Sequence, residues 1–307
     1  MFSIKETKIM VEFSMVGDLL DHEFLTHILG INPTSKWHSG DPGRYATHKE
    51  AAWNLSTGYM KSLDVNDQLG SILDQLQDKA SVLIELKKRF DLFYRFDIVI
   101  KIIDSIAPAF HLKTSAISFA HAIGAAFEMD LYAWPNMPPP KRGGKSILLP
   151  KGAANQADAY IGSRDIDDYV IKETYFNYPT VKVDFRILGN DFDIAYITQC
   201  LSLKPNYVWP KGEYGSHGLT RSETCWALSS RYRKSYFVDE QLKPILKLLR
   251  HKTAKLLMLK KKYNLSFQIY IVLKIIDGRA PALGFDIDDL DFAQKVGAEF
   301  VVDFYSR

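Results

Sequence analysis

Near the start of the chain polarity alternates residue by residue: Ile9, Val11, Phe13 and Met15 are interleaved with Lys8, Met10, Glu12 and Ser14, the period of a strand with one buried face. The alternation returns at Val181, Val183, Phe185 and Ile187, interleaved with Lys182, Asp184 and Arg186. Gly17 and Gly189 end these strands. Asp21 and Asp193 then stand where a helix N-cap is needed, ahead of Phe24, Leu25, Ile28 and Leu29 or of Ile197, Cys200 and Leu201 at helical spacing. Gly30 closes the first helix and Pro33 keeps it from resuming. Residues 36–56 and 208–229 have strand-like ends around a polar middle and predict a hairpin with a long loop. The stripe Leu69, Ile72, Leu73, Leu76, Ala80, Leu83 and Leu86 predicts one long helix over 66–89, and Leu242, Ile245, Leu246, Leu249, Leu256 and Leu259 repeat it. Strands follow at 92–103 and 265–276, apolar on both faces near their ends and so expected in the centre of a sheet. A short helix (Ile117, Ala120, Ile123; Leu290, Ala293, Val296) and a last strand (127–132; 300–305) complete each set.

The pattern is thus written twice, and individual residues confirm it. Phe13, Gly17, Asp21, Leu29, Pro33, Trp37 and Gly40 recur as Phe185, Gly189, Asp193, Leu201, Pro205, Trp209 and Gly212, and Trp53, Leu55 and Ser56 as Trp226, Leu228 and Ser229. Ile-Ile-Asp followed by Ala-Pro-Ala, with Asp104 and Pro108, returns with Asp277 and Pro281. A tandem duplication follows: a first domain over 1–134, a connector over 135–180 and a second domain over 181–307. Each domain reads β-α-β-β-α-β-α-β. The expected fold class is α+β, two tandem copies of a ferredoxin-like module whose last two elements extend its sheet. The connector opens with Pro138, Pro139 and Pro140 and a Lys141-Arg-Gly-Gly-Lys145 run, as an exposed linker would. It turns aromatic at Tyr160, Tyr169, Tyr175, Phe176 and Tyr178.

Composition narrows the partners only slightly. Of 307 residues 47% are hydrophobic and 24% charged, with a net charge of +3, an ordinary globular balance that names no partner class. Cys200 and Cys225, the two cysteines, both lie in the second copy, which excludes a disulfide or metal framework common to both domains and points to a reducing compartment. No signal-peptide core and no run near ~20 apolar residues is present, so the expected location is cytoplasmic, away from membranes.

Gly-x3-Asp, Leu-x-Ile/Leu-x-Pro, Trp-x2-Gly and Trp-x-Leu-Ser, followed by the leucine-striped helix, resemble the bacterial family of domains of unknown function DUF4279. The first copy carries them at Gly17, Asp21, Leu29, Ile31, Pro33, Trp37, Gly40, Trp53, Leu55 and Ser56; the second at Gly189, Asp193, Leu201, Leu203, Pro205, Trp209, Gly212, Trp226, Leu228 and Ser229. The resemblance implies a small α+β fold and a bacterial or phage origin. It brings no catalytic residue with it.

Duplication supplies an internal test, since chemistry shared by both domains needs its residues twice. None of the eight histidines recurs: His22, His38, His111 and His121 face Ile194, Pro210, Gly284 and Gln294. A histidine site in one copy alone would fall at His38 and His48, beside Trp37. No metal set and no cofactor is expected. Asp104 and Asp277 recur at the mouth of a central strand, either as carboxylates at a ligand or enzyme site or as turn residues bonded to backbone amides. Trp37, Trp53, Trp209 and Trp226 also recur, either lining a groove for a partner or packing the hairpin. Gly143-Gly144-Lys145-Ser146 imitates a phosphate loop but follows prolines instead of a strand. Arg250, Lys260, Lys261 and Lys262 lie in a basic run fit to touch nucleic acid, yet the first copy offers only a mixed face there. The leading expectation is therefore a non-enzymatic pair of protein-interaction modules, immunity-like or inhibitory by analogy. A ligand or enzyme site near Asp104 and Asp277, and nucleic-acid binding through the basic helix, are the alternatives.

Overall fold

A computed structural model describes residues 6–18, 20–43, 46–134, 178–214 and 219–306. The connector, with its prolines, phosphate-loop imitation and most of its aromatic residues, lies outside them.

The first half runs β1 (Lys8–Gly17), α1 (His22–Leu29), β2 (Ser35–Trp37), β3 (Ala51–Ser56), β4 (Met60–Lys61), α2 (Val65–Leu76), α3 (Ala80–Phe90), β5 (Phe93–Ile103), β6 (Phe110–Leu112), α4 (Thr114–Ile123) and β7 (Ala125–Trp134). The second repeats it: β8 (Thr180–Gly189), α5 (Ile194–Leu201), β9 (Tyr207–Trp209), β10 (Thr224–Ser229), β11 (Arg233–Lys234), α6 (Asp239–Arg250), α7 (Thr253–Tyr263), β12 (Ser266–Ile275), β13 (Leu283–Phe285), α8 (Ile287–Val296) and β14 (Ala298–Ser306). The fold is α+β with two similar halves. Asp21 and Asp193 cap α1 and α5, accepting from the amides of Phe24 (2.9 Å) and Tyr196 (3.0 Å).

The expected long helix is broken in both halves, by a 3-10 turn at Gln77–Lys79 and by a turn between Arg250 and Thr253. Periodicity could not reveal the break. Leu76 and Leu83, like Leu249 and Leu256, are seven residues apart, and all four stay buried across it.

Each half builds one seven-stranded sheet, but neither sheet is made by its own half alone. The strand order is β13-β7-β5-β1-β3-β2 in one, with β4 beside β1, and β6-β14-β12-β8-β10-β9 in the other, with β11 beside β8. Neighbours are antiparallel except β5 with β7 and β12 with β14. The edge strand beside β7 is thus β13 of the second half, with Phe285 opposite Phe127, and that beside β14 is β6 of the first, with Leu112 opposite Phe300. Each exchanged strand stays tied to its own half just before it crosses. The amide of Ala109 donates to Leu63 O (2.7 Å), and that of Ala282 to Tyr236 O (2.7 Å).

The exchange is driven by burial. Phe285 is almost completely buried, and its ring stacks on Phe300 of its own half at 3.9 Å while its backbone lies in the other half's sheet. Helices α4 and α8 pack together between the sheets. His121 of α4 stands 3.4 Å from Asp291 of α8, and His111 of β6 bonds Glu299 of β14 at 2.7 Å. Two histidines without a counterpart therefore face the other half. The two copies form one interlocked body. Among the described residues no helix is long and apolar enough to cross a membrane.

Candidate functional site

Strand alternation sends one set of side chains to the helices and another to the outer face of each sheet. Trp53 and Trp226 go inward. Both are fully buried, and their indole N–H groups donate to Thr26 Oγ1 (3.3 Å) and Thr198 Oγ1 (3.0 Å). A partner groove lined by these two is thereby corrected to a place in the core, because a large ring with one donor is accommodated by burying the ring and pairing the N–H. Trp37 and Trp209 sit on the outer edge strands and are partly exposed. His48 stacks on Trp37 at 4.4 Å, and Arg221 stands 4.4 Å over Trp209, so both rings carry a cation-capable group. His38 turns instead to the buried His22, Nε2 to Nδ1 at 3.2 Å, while His22 Nε2 donates to Ala52 O at 2.9 Å. Burial lowers the pKa of His22.

Asp104 and Asp277 occupy tight turns. Asp104 and Ser105 have φ of 53° and 59°, Asp277 and Gly278 51° and 73°, the two consecutive positive values of a hairpin turn that aspartate and glycine tolerate. The amides of Ile106 and Arg279 close the turns on Ile103 O (3.0 Å) and Ile276 O (2.9 Å).

The basic run of the second half is mostly engaged within the chain. Arg250 donates to Asp288 O (2.7 Å), Lys260 to Gly297 O (2.8 Å) and Val296 O (3.1 Å), and Lys262 lies 3.7 Å from the Tyr196 ring centre. Among the described residues, Lys261 alone of the four is exposed without such a contact.

Three residues before each hairpin turn lies a constellation that sequence reasoning passed over. Lys101 on β5 is paired across the sheet with Tyr132 on β7, and Lys274 on β12 with Tyr305 on β14. Tyr59 covers Lys101, its ring centre 3.4 Å from Nζ, and Tyr232 covers Lys274 at 4.0 Å. Asp130 and Asp303 stand two residues before the strand tyrosines. All four positions are therefore kept twice: tyrosine, lysine, aspartate, tyrosine. The rings are 42%, 46%, 48% and 52% exposed for Tyr59, Tyr132, Tyr232 and Tyr305. Asp130's charge raises the Tyr132 phenol pKa, so that phenol stays protonated at neutral pH. The signal was present in the sequence, as Lys three residues before Asp104 and Asp277 and Tyr near the end of the last strand of each half, but it spans separate elements.

Around this shared cluster the two outer faces diverge. In the second half Asp184 is completely buried and accepts at Oδ2 from Tyr207 Oη (2.8 Å) and Lys182 Nζ (2.9 Å). Arg186 lies 3.4 Å over the Tyr270 ring, and the Tyr270 hydroxyl bonds Asp303. Burial pushes the Cys225 thiol up to about 12, which leaves it un-ionised and poor as a nucleophile. In the first half the counterparts are Glu12, Met10, Ser14, Asp97 and Ala52. Glu12 and Asp97 stand directly opposite each other on β1 and β5. Burial raises both pKa values, and their mutual repulsion adds to the rise at Glu12; Arg95, 2.7 Å from Asp97 and 3.3 Å from Glu128, offsets part of it.

Two cavities mark further differences. Between α2 and α4 a groove of about 290 Å³ is lined by Gly70 and Ala116. At the equivalent places in the second half Lys243 reaches from α6 to Asp289 of α8 (2.7 Å) and to Asp286, which caps that helix (2.6 Å). Burial pushes Asp289 up to about 6 despite that lysine. A cleft of about 340 Å³ at the β7–β13 edge is lined by Ala126 and Gly284, where the other half has the pair Glu299 and His111. No group of three or more histidine, cysteine, aspartate or glutamate residues suited to a metal ion occurs among the described residues.

The family model described as a domain of unknown function (DUF4279) matches residues 6–134 and again 179–307. No curated protein and no solved structure matches the chain. The two matches coincide with the two halves that exchange strands, and the chain belongs to the DUF4279 family, carrying its domain twice.

Proposed function

We propose that this is a non-enzymatic interaction protein that engages a protein partner through the two Tyr–Lys–Tyr–Asp clusters, held at equivalent positions on one interlocked body. One observation carries the reading: an exposed set of two tyrosines, a lysine and an aspartate, joined across two strands and a loop, is retained in both copies. Exposed tyrosines beside a lysine suit a protein surface, because tyrosine supplies large contact area at low entropic cost and is enriched among residues that dominate binding. The ferredoxin-like reading of each half is supported by the antiparallel order β5-β1-β3-β2 and its counterpart β12-β8-β10-β9. An immunity-like or inhibitory role is the form of protein binding we favour, by analogy with small bacterial α+β modules.

Amine-reactive crosslinking tests it, because Lys101 and Lys274 are themselves the reactive groups. In lysate of the source cell the full chain should crosslink one protein in stoichiometric amount through these lysines, and Tyr59→Ser with Tyr232→Ser should abolish the adduct. Absence of a stoichiometric adduct, or one indifferent to both substitutions, overturns the reading.

A further inference from the structure

His22 and His38 come from separate elements and meet only through the fold. His22 opens α1 and is 3% exposed, whereas His38 follows β2 and its side chain is 68% exposed. His22 Nδ1 and His38 Nε2 lie 3.2 Å apart, with the two rings edge to face. The second half has Ile194 and Pro210 at these places, so whatever the pair does belongs to the first copy.

The outer nitrogens decide what the facing ones can be. His22 Nε2 donates to Ala52 O (2.9 Å), so the neutral ring presents a lone pair at Nδ1. The Asp41 carboxylate stands 3.6 Å from His38 Nδ1 and draws that ring's proton to Nδ1, which leaves a second lone pair at Nε2. Asp41 is itself held, accepting from the His38 amide at 2.6 Å. Two lone pairs this close repel unless a positive charge lies between them. A proton shared along a straight hydrogen bond would set the ring centres about 5.5 Å apart; they are 4.5 Å apart, so the contact is bent well away from that geometry. At Zn–N lengths of about 2.0–2.1 Å, nitrogens with this separation subtend about 100–105° at the ion, close to tetrahedral. A backbone carbonyl behind one imidazole and a carboxylate behind the other are the supports that zinc-bound histidines carry. Asp21 and Glu23 add negative charge beside His22, and Lys36, the lysine that faces it, is paired with Glu23 at 2.9 Å.

We propose that His22 Nδ1 and His38 Nε2 bind a divalent first-row transition ion, Zn²⁺ in the first place, which ties the start of α1 to the loop after β2. The exposed His38 gives the ion access from solvent, and water completes its coordination. His48 takes no part, since it stacks on Trp37 instead. The site shares no residue with the Tyr–Lys–Tyr–Asp clusters, so it stands or falls apart from protein binding.

Calorimetry on the full chain with Zn²⁺ tests this, with Mg²⁺, which prefers oxygen ligands, as the comparator. Zn²⁺ should bind and Mg²⁺ should not. His38→Ala, at an exposed position that leaves the core untouched, should abolish the Zn²⁺ site, and any Zn²⁺ that this variant still takes up is the background to subtract. Asp41→Asn should weaken binding about tenfold, the usual effect of losing the group behind a metal-bound imidazole. His48→Ala should bind as the wild type does. Zn²⁺ should also raise the thermal unfolding temperature of the wild type and not that of His38→Ala. Zn²⁺ uptake no greater than that of His38→Ala, equal binding of Mg²⁺, unchanged binding by Asp41→Asn, or loss of the site in His48→Ala overturns the proposal.

Discussion

Trp53 and Trp226 hold the same place in the two halves and donate to the same hydroxyl position, whereas His111 with Glu299 in one half faces Gly284 with Ala126 in the other. The same contrast separates Lys243 with Asp289 from Gly70 with Ala116. Buried positions were kept because a core tolerates few changes of volume. Polar pairs near the surface were free to be filled in one copy and emptied in the other. The groove between α2 and α4 in the first half thus corresponds to the Lys243–Asp289 ion pair in the second. The Tyr–Lys–Tyr–Asp cluster stands apart from this rule, exposed and yet kept twice.

Substitutions sharpen the contrast in order of expected size. Phe285→Ala removes a buried ring that serves both halves and should cost about 3–5 kcal/mol by denaturant unfolding, although β13 is only three residues long. A cost typical of an exposed edge residue would mean that the exchanged strand is incidental.

Asp289 distinguishes the halves by pH, having alanine as its counterpart. Its folded carboxyl keeps a proton up to about pH 6, while the unfolded one releases it near about pH 4. The contribution to stability is thus full below the lower value and is lost as pH rises through the higher one, on the order of 2 kcal/mol. Urea unfolding at both ends of that window should show Asp289→Asn losing less stability than the wild type over the same rise. Parallel pH profiles would contradict the assignment.

At Gly70 the effect is smaller and of opposite sign. A Cβ there meets nothing within 4 Å, and a glycine inside a helix costs about 0.5–1 kcal/mol relative to alanine. Gly70→Ala should raise stability by that amount in thermal unfolding; a loss would mean the groove between α2 and α4 is closed.

Much of each half was legible in the chain. Alternation at Ile9 to Met15 and at Val181 to Ile187 gave β1 and β8, and Asp21 and Asp193 marked their helix starts, because these signals are local. The exchanged strands were not legible. Phe110, His111 and Leu112 offer a single alternation, too short for a period, and nothing local says that their partners are Val302, Val301 and Phe300, 192, 190 and 188 residues away by sequence. The break in the long helix was hidden by a stripe that continues through it. Of the site, the four tryptophans and two aspartates were visible as repeats, but repetition alone does not separate a buried ring or a turn from a contact surface. Lys101 and Lys274 were visible too, yet their tyrosines come from other strands and loops, and only the sheet register brings them together.

That the halves form one body through reciprocal strands is tested most directly by hydrogen exchange in Phe285→Ala, resolved strand by strand. Exchange should quicken at the amides of Phe127 and Met129 in the first half's β7 as well as in β13, and both halves should unfold in a single transition. Two separate transitions, with β7 protected as in the wild type, would contradict it.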